Sequence, residues 1–145
     1  VRGGVEAPPG DAVVSGLPWV RLDTTFYENP KILALLAERD GHRALVVYLS
    51  ALAYSGGHGT DGNIAAYVLP RLHGRKADGD RLVRHGLWKP TETGWEIHDY
   101  STMQQTSDTT AQIRSDRRRA SIKGNCVRHH GPDCGCWRDH LRAVE

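Results

Sequence analysis

Cysteine is scarce in this chain. Its 145 residues hold three, an odd number, all between Cys126 and Cys136. Scarcity and oddness exclude a disulfide framework, and crowding beside histidines points to a metal instead. Thiols kept for a metal imply a reducing cytoplasm. The sequence also lacks any run of about 18 apolar residues, which excludes a helical membrane span. The Gly/Pro-rich N-terminus has no basic-then-apolar signal pattern. Three glycines at Gly56, Gly57 and Gly59 suggest a phosphate loop, but no GxxxxGK[ST] pattern follows and no strand precedes them, so a nucleotide site is not expected. Net charge is only +2. It is uneven, because Arg and Lys are concentrated after residue 110, and a basic C-terminal segment implies a polyanionic partner.

What is present suggests one mostly α domain of modest core, a small β-hairpin and basic, ligand-rich tails. Residues 1–16 read as a disordered N-terminal extension, and VSGLPWVRLD from Val14 reads like a natural beginning. Residues 18–29 alternate as a strand or extended segment, with Trp19 as a packing anchor. Asn29-Pro30 opens a helix that Gly41 ends. A second helix, about His42 to Tyr54, carries Leu45, Tyr48, Leu49 and Leu52 at core spacing. Ser55 to Gly59 reads as a flexible stop.

The stretch 61–100 then gives a short strand at Asn63-Ile64 and a short helix from Ala65 to Leu72 with Pro70 awkwardly inside it. A turn follows, and then a helix to about His85 that Asp78 or Asp80 caps and Gly86 closes. Leu87–Lys89 and Trp95–His98 make a hairpin with Trp95 and Ile97 facing inward. This is the order of a winged helix-turn-helix, placed at residues 17–105. Its second helix is the natural reader of a major groove, with Arg81, Arg84 and His85 sharing an outward face and Arg71, Arg75 and Lys76 as flanking phosphate contacts. The hairpin tip carries Glu92 and has no cation beyond Lys89, which makes it a poor phosphate clamp.

Residues 106–125 read as a polar linker and a basic helix, Ala111 to Lys123, that Gly124-Asn125 ends. Arg114, Arg117, Arg118, Arg119 and Lys123 suit a phosphate backbone. Residues 126–145 form a Cys/His zinc-binding tail. Cys126, His129, Cys134 and Cys136 are the expected tetrahedral ligands, with His130 or His140 able to replace one of them. The C-x-C gap is tighter than the common C-x2-C. A structural Zn²⁺ is expected rather than a catalytic one, because no pocket suggests a substrate and Asp133 and Asp139 are the only candidate bases.

The segments WVRLDTTFYENPKILALL, GTDGNI and DRLVRHGLWKPTETGWEIHDY resemble small winged-helix proteins of actinobacterial phages and prophages, related to the N-terminal domains of phage replisome organisers and replication initiators. The resemblance covers roughly residues 17–105. It implies a winged-helix fold and a role in phage or prophage DNA metabolism, and it supplies no catalytic residues. With the basic helices above, the expected function is non-catalytic binding of double-stranded DNA in replication initiation or transcriptional control. Two other readings stay open. One is a protein-interaction module docking on host or phage replication or transcription machinery. The other is a zinc-dependent nuclease built around His129.

Overall fold

The computed structural model describes residues 16–143, so the expected disordered extension lies outside the described residues except for Gly16, which is buried. The chain forms two units, residues up to Gln104 and residues from Gln105 onward.

In the first unit Asn29 caps α1 (Pro30–Leu36), accepting a hydrogen bond from the Lys31 N–H, with Pro30 at the first helical position where its missing N–H costs nothing. The central helix α2 (Gly41–His58) buries Ala44, Val47, Tyr48, Ala51, Leu52 and Ser55. Its inward stripe is therefore rotated from the expected one: Leu49 is 37% exposed, and Val46 lies outside as well. The flexible stop at Ser55–Gly59 is also corrected, because α2 continues through it. Ser55 and Gly56 are buried there, and the Leu17 N–H donates to the Gly56 carbonyl at 2.7 Å, satisfying one of the orphan acceptors of the helix end. A side chain on Gly56 would strike Val20. The incoming chain thus docks on α2 through Val20, while Trp19, the expected anchor, is 62% exposed. Gln104 holds the same segment by a reciprocal pair, accepting from the Arg21 N–H (2.9 Å) and donating to the Arg21 carbonyl (2.8 Å).

Strand β1 (Asn63–Ala65) leads into a 3₁₀ turn, Ala66–Leu72, rather than an α-helix. Pro70 within it has no N–H for an α ladder, yet Val68, Leu69 and Leu72 still reach the core. Helix α3 (Lys76–Arg84) starts earlier than expected, so Asp78 is its third residue and not its cap. The Asp78 carboxylate returns a bond to the Arg75 N–H at 2.9 Å. At the other end Gly86 adopts φ +68°, and the Gly86 and Leu87 N–H groups donate to the Val83 and Leu82 carbonyls, which is the Schellman closure that a glycine permits.

Strands β2 (Trp88–Pro90) and β3 (Gly94–Ile97) form the hairpin, and β1 pairs with β3, giving an antiparallel three-stranded sheet in the order β1-β3-β2. Ile64 lies opposite Trp95 and Trp88 opposite Ile97, so the four apolar partners face the helices. Together with Ile32, Leu35, Val47, Val68 and Leu82 they form one core. A short α4 (Tyr100–Met103) closes this unit, its Tyr100 packed into the core.

The second unit is two helices. Thr106 caps α5 (Ser107–His130), so the expected polar linker is instead this helix's first turn. Nor do Gly124 and Asn125 end it: α5 passes through them for 24 residues in all. A single interior Gly costs about 1 kcal/mol, too little to break a helix whose next turn carries a ligand pair. Helix α6 (Trp137–Arg142) packs beside α5. No helix among the described residues is long and apolar enough to cross a membrane.

Candidate functional site

The end of α5 and the loop after it bring Cys126, His130, Cys134 and Cys136 together, their donor atoms all within 4.8 Å of one another. Cys126 and His130 are one helical turn apart and share a face of α5. Gly131 then leads the chain back so that Cys134 and Cys136 close over that face. The Cys126 Sγ lies 2.8 Å from that of Cys136 and 3.4 Å from that of Cys134, and the His130 Nδ1 is 3.1 Å from the Cys136 Sγ. All three cysteines are free thiols.

These four can hold a metal ion. Three sulfurs and one imidazole nitrogen are a soft-to-borderline set in the number a tetrahedron requires. Metal–sulfur bonds of about 2.3 Å would place the sulfurs about 3.8 Å apart, so Cys136 would draw back from Cys126 by about 1 Å, and the other sulfur pairs by less, to accept the ion. The thiols also oppose one another without a cation. Hydrogen bonding to Cys136, with burial and contact with Cys134, pushes the Cys126 thiol up to about 12. Cys134 is held below the usual thiol range, first by the Cys136 thiol that donates to it and also by the backbone N–H groups of Cys136 and Trp137. One thiol is thus easier to ionise while its neighbour resists ionising, and a divalent ion would relieve that resistance.

His129 was the expected fourth ligand, and the structure places His130 in the cluster instead. His129 lines a shallow groove with Ile122, Asn125 and His140 beside it. Both histidines follow Cys126 by about one turn, and sequence spacing alone does not separate i+3 from i+4. The return path of the 131–136 loop decides it.

The expected groove-reading residues are engaged within the protein. Arg81 Nε and Arg84 both donate to Glu38 Oε2 at 2.9 Å, and His85 Nε2 lies 2.8 Å from Oε1. Their shared face therefore points at the α1–α2 turn rather than outward, and the side chains of Arg81 and His85 are only 16% exposed. Arg81 also reaches the buried Asp78, which Arg43 pairs from the other side at 3.2 Å. The His85 hydrogen bond, ahead of those cations, holds the Glu38 carboxyl below the usual glutamate range. Neither Glu38 nor Arg43 was legible as a partner, because each lies more than thirty residues from the groups it binds and no local pattern marks it.

The remaining expected phosphate contacts lie on the surface. Arg71 and Arg75 are exposed, as is Lys76, which pairs with Asp80 at 2.8 Å. Arg114, Arg117, Arg118, Arg119 and Lys123 are all exposed along α5. With about 3.6 residues per turn, Arg114, Arg117 and Arg118 share one side of α5, while Lys123 falls with Cys126 and His130 on the other.

Comparison with protein-family models, curated proteins and solved structures finds no significant match to this chain.

Proposed function

We propose that this protein binds double-stranded DNA without catalysis, in replication initiation or transcriptional control, and that a structural zinc ion fixes its second unit. The observation that carries this reading is the exposure of Arg114, Arg117, Arg118, Arg119 and Lys123 along one continuous helix. Such an array matches a phosphate backbone in charge, and its arginines match it in hydrogen-bond geometry. The order strand, turn, helix, hairpin in the first unit supports a winged helix as the partner module, with Arg71, Arg75 and Lys76 offering phosphate contacts. The tie of Arg81, Arg84 and His85 to Glu38 shifts the expected affinity from α3 toward α5. Three thiols and an imidazole complete a tetrahedron and leave no open position, which favours a structural over a hydrolytic zinc and weighs against the nuclease reading.

The test is duplex-DNA binding across a salt series. Affinity falls steeply with salt, and replacing Arg114, Arg117 and Arg118 together by Ala flattens the slope by about 2.7, near 0.9 per lost contact. Binding that ignores salt, or a triple variant equal to the parent, rejects the reading. Elemental analysis checks the zinc: about one equivalent is expected, lost in His130→Ala and kept in His129→Ala. The docking reading draws on exposed apolar residues of the first unit, Tyr67 at 83% among them, with Val46 and Leu49 on α2. It predicts capture of a replication or transcription protein that survives the arginine substitutions.

A further inference from the structure

We propose that the Cys/His end carries a second phosphate-binding surface, built by Lys123 of α5 and Arg138 of α6 at Trp137 with Arg142 on the same face of α6 as Arg138, and that it takes the backbone of the same DNA. The inference rests on the DNA-binding reading above.

Arg138 and Arg142 are four residues apart on α6 and so share a face. Both are exposed, whereas Trp137 and Leu141 are half-buried. Lys123 comes from the other helix, its Nζ 4.9 Å from the centre of the Trp137 ring, and the Arg138 guanidinium lies 5.3 Å from the same centre. The indole thus gathers cations from two helices into one place. A cation resting on an aromatic face is partly ordered before it meets a ligand, so less freedom is lost when a phosphate arrives. Among the described residues the acidic groups after α5 are Asp133 and Asp139, and neither pairs with Arg138 or Arg142. Among the described residues no carboxylate pairs with either arginine, in contrast to Arg81 and Arg84, which Glu38 occupies.

The surface exists because the Cys/His cluster folds the chain back on itself. Cys126 and His130 belong to α5, and Cys136 immediately precedes α6. An ion held by all of them would pin the start of α6 against α5, where Arg138 and Lys123 meet at the Trp137 ring. Removal of the ion is expected to let these cations separate. The surface is also distinct from the Arg114, Arg117 and Arg118 side of α5.

The full zinc-loaded chain is titrated with a mixed-sequence 20-base-pair duplex over a salt series, beside Arg138→Gln/Arg142→Gln and Arg138→Lys/Arg142→Lys double variants. Zinc content and far-ultraviolet circular dichroism establish that each is folded. The Gln pair lowers the slope of log affinity against log salt by about 1.8, two contacts at about 0.9 each, and the Lys pair restores it. Chelation lowers the parent's slope by at least that increment, and lowers that of the Gln pair by no more than the one contact of Lys123. An unchanged slope in a folded, zinc-loaded Gln pair overturns the proposal. If the Arg114/Arg117/Arg118 variant weakens in the same assay while the Gln pair does not, the DNA-binding reading stands and this surface alone is rejected. A parent chain without salt-dependent binding rejects both.

Discussion

Glu38 is the residue on which most local electrostatics converge. Its carboxylate accepts from Arg81 and Arg84, and the His85 Nε2 faces its other oxygen. Because its folded pKa is depressed, it contributes stability that is present above the unfolded glutamate value and lost as pH falls through the folded one. Glu38→Gln removes that contribution. The expected result is a lower melting temperature at neutral pH and a shallower loss of stability on acidification, read from melts between about pH 3 and pH 7. A variant with the parent's full acid dependence would show that Glu38 contributes nothing. Among its partners, Arg81→Ala costs more than Arg84→Ala. Arg81 is largely buried and also serves Asp78, whereas the Arg84 side chain is 60% exposed and screened by solvent. Denaturant midpoints order the two. Leu35, fully buried in the core, sets the scale for a packing loss, and Leu35→Ala costs about 2–5 kcal/mol.

At the scale of elements, α3 illustrates how tertiary fit overrides local preference. Gly79 lies inside that helix, where Ala is ordinarily better by about 1 kcal/mol. A Cβ at Gly79 would sit 2.7 Å from Cζ2 of Trp95, whose ring packs on the helix across from the sheet. Gly79→Ala therefore destabilises the protein, by about 1–3 kcal/mol, through overpacking, and urea unfolding would show it. A stabilised variant would mean that the ring moves aside freely. The same contrast governs how much of the fold was legible. The Asn29-Pro30 start of α1, the Gly86 closure of α3 and the alternation Trp95-Glu96-Ile97 are short-range signals, and each led to the right element. The ends of α2 and α5 were misplaced because Gly56, Gly57 and Gly124 look like stops locally. Gly56 is instead required by the approach of Val20, which sequence spacing does not report. The inward stripe of α2 was misread for a related reason. Small Ala44 and Ala51 lie against neighbours, while larger Leu49 is left partly outside. Of the metal cluster, the three cysteines were legible as ligands, and the choice between adjacent histidines depended on a loop path.

At the scale of the whole molecule, the two units are held by different physics. The apolar core runs from Ile32 to Tyr100 and belongs wholly to the first unit. In the second, Thr110 and Cys126 are the only described residues that are buried. A pair of helices with so little apolar burial cannot offset its own ordering entropy by packing, and α5 has mostly polar residues with a glycine in its last third. A metal ion bound by Cys126, His130, Cys134 and Cys136 would supply the missing term, because ligands that meet only in the folded state turn binding energy into folding energy. Chelation should therefore lower far-ultraviolet helicity through loss of α6 and the last turns of α5. The cooperative near-ultraviolet transition of Trp88 and Trp95 should keep its midpoint. His130→Ala should reproduce the chelated state without chelator, and His129→Ala should not. A fragment ending at Gln104 should melt with that same midpoint, since every residue of the core is retained. If chelation leaves helicity unchanged, the second unit folds without the ion. If it moves the Trp88/Trp95 midpoint, the first unit depends on the metal as well, and the division of the molecule into a packed half and a ligated half is wrong.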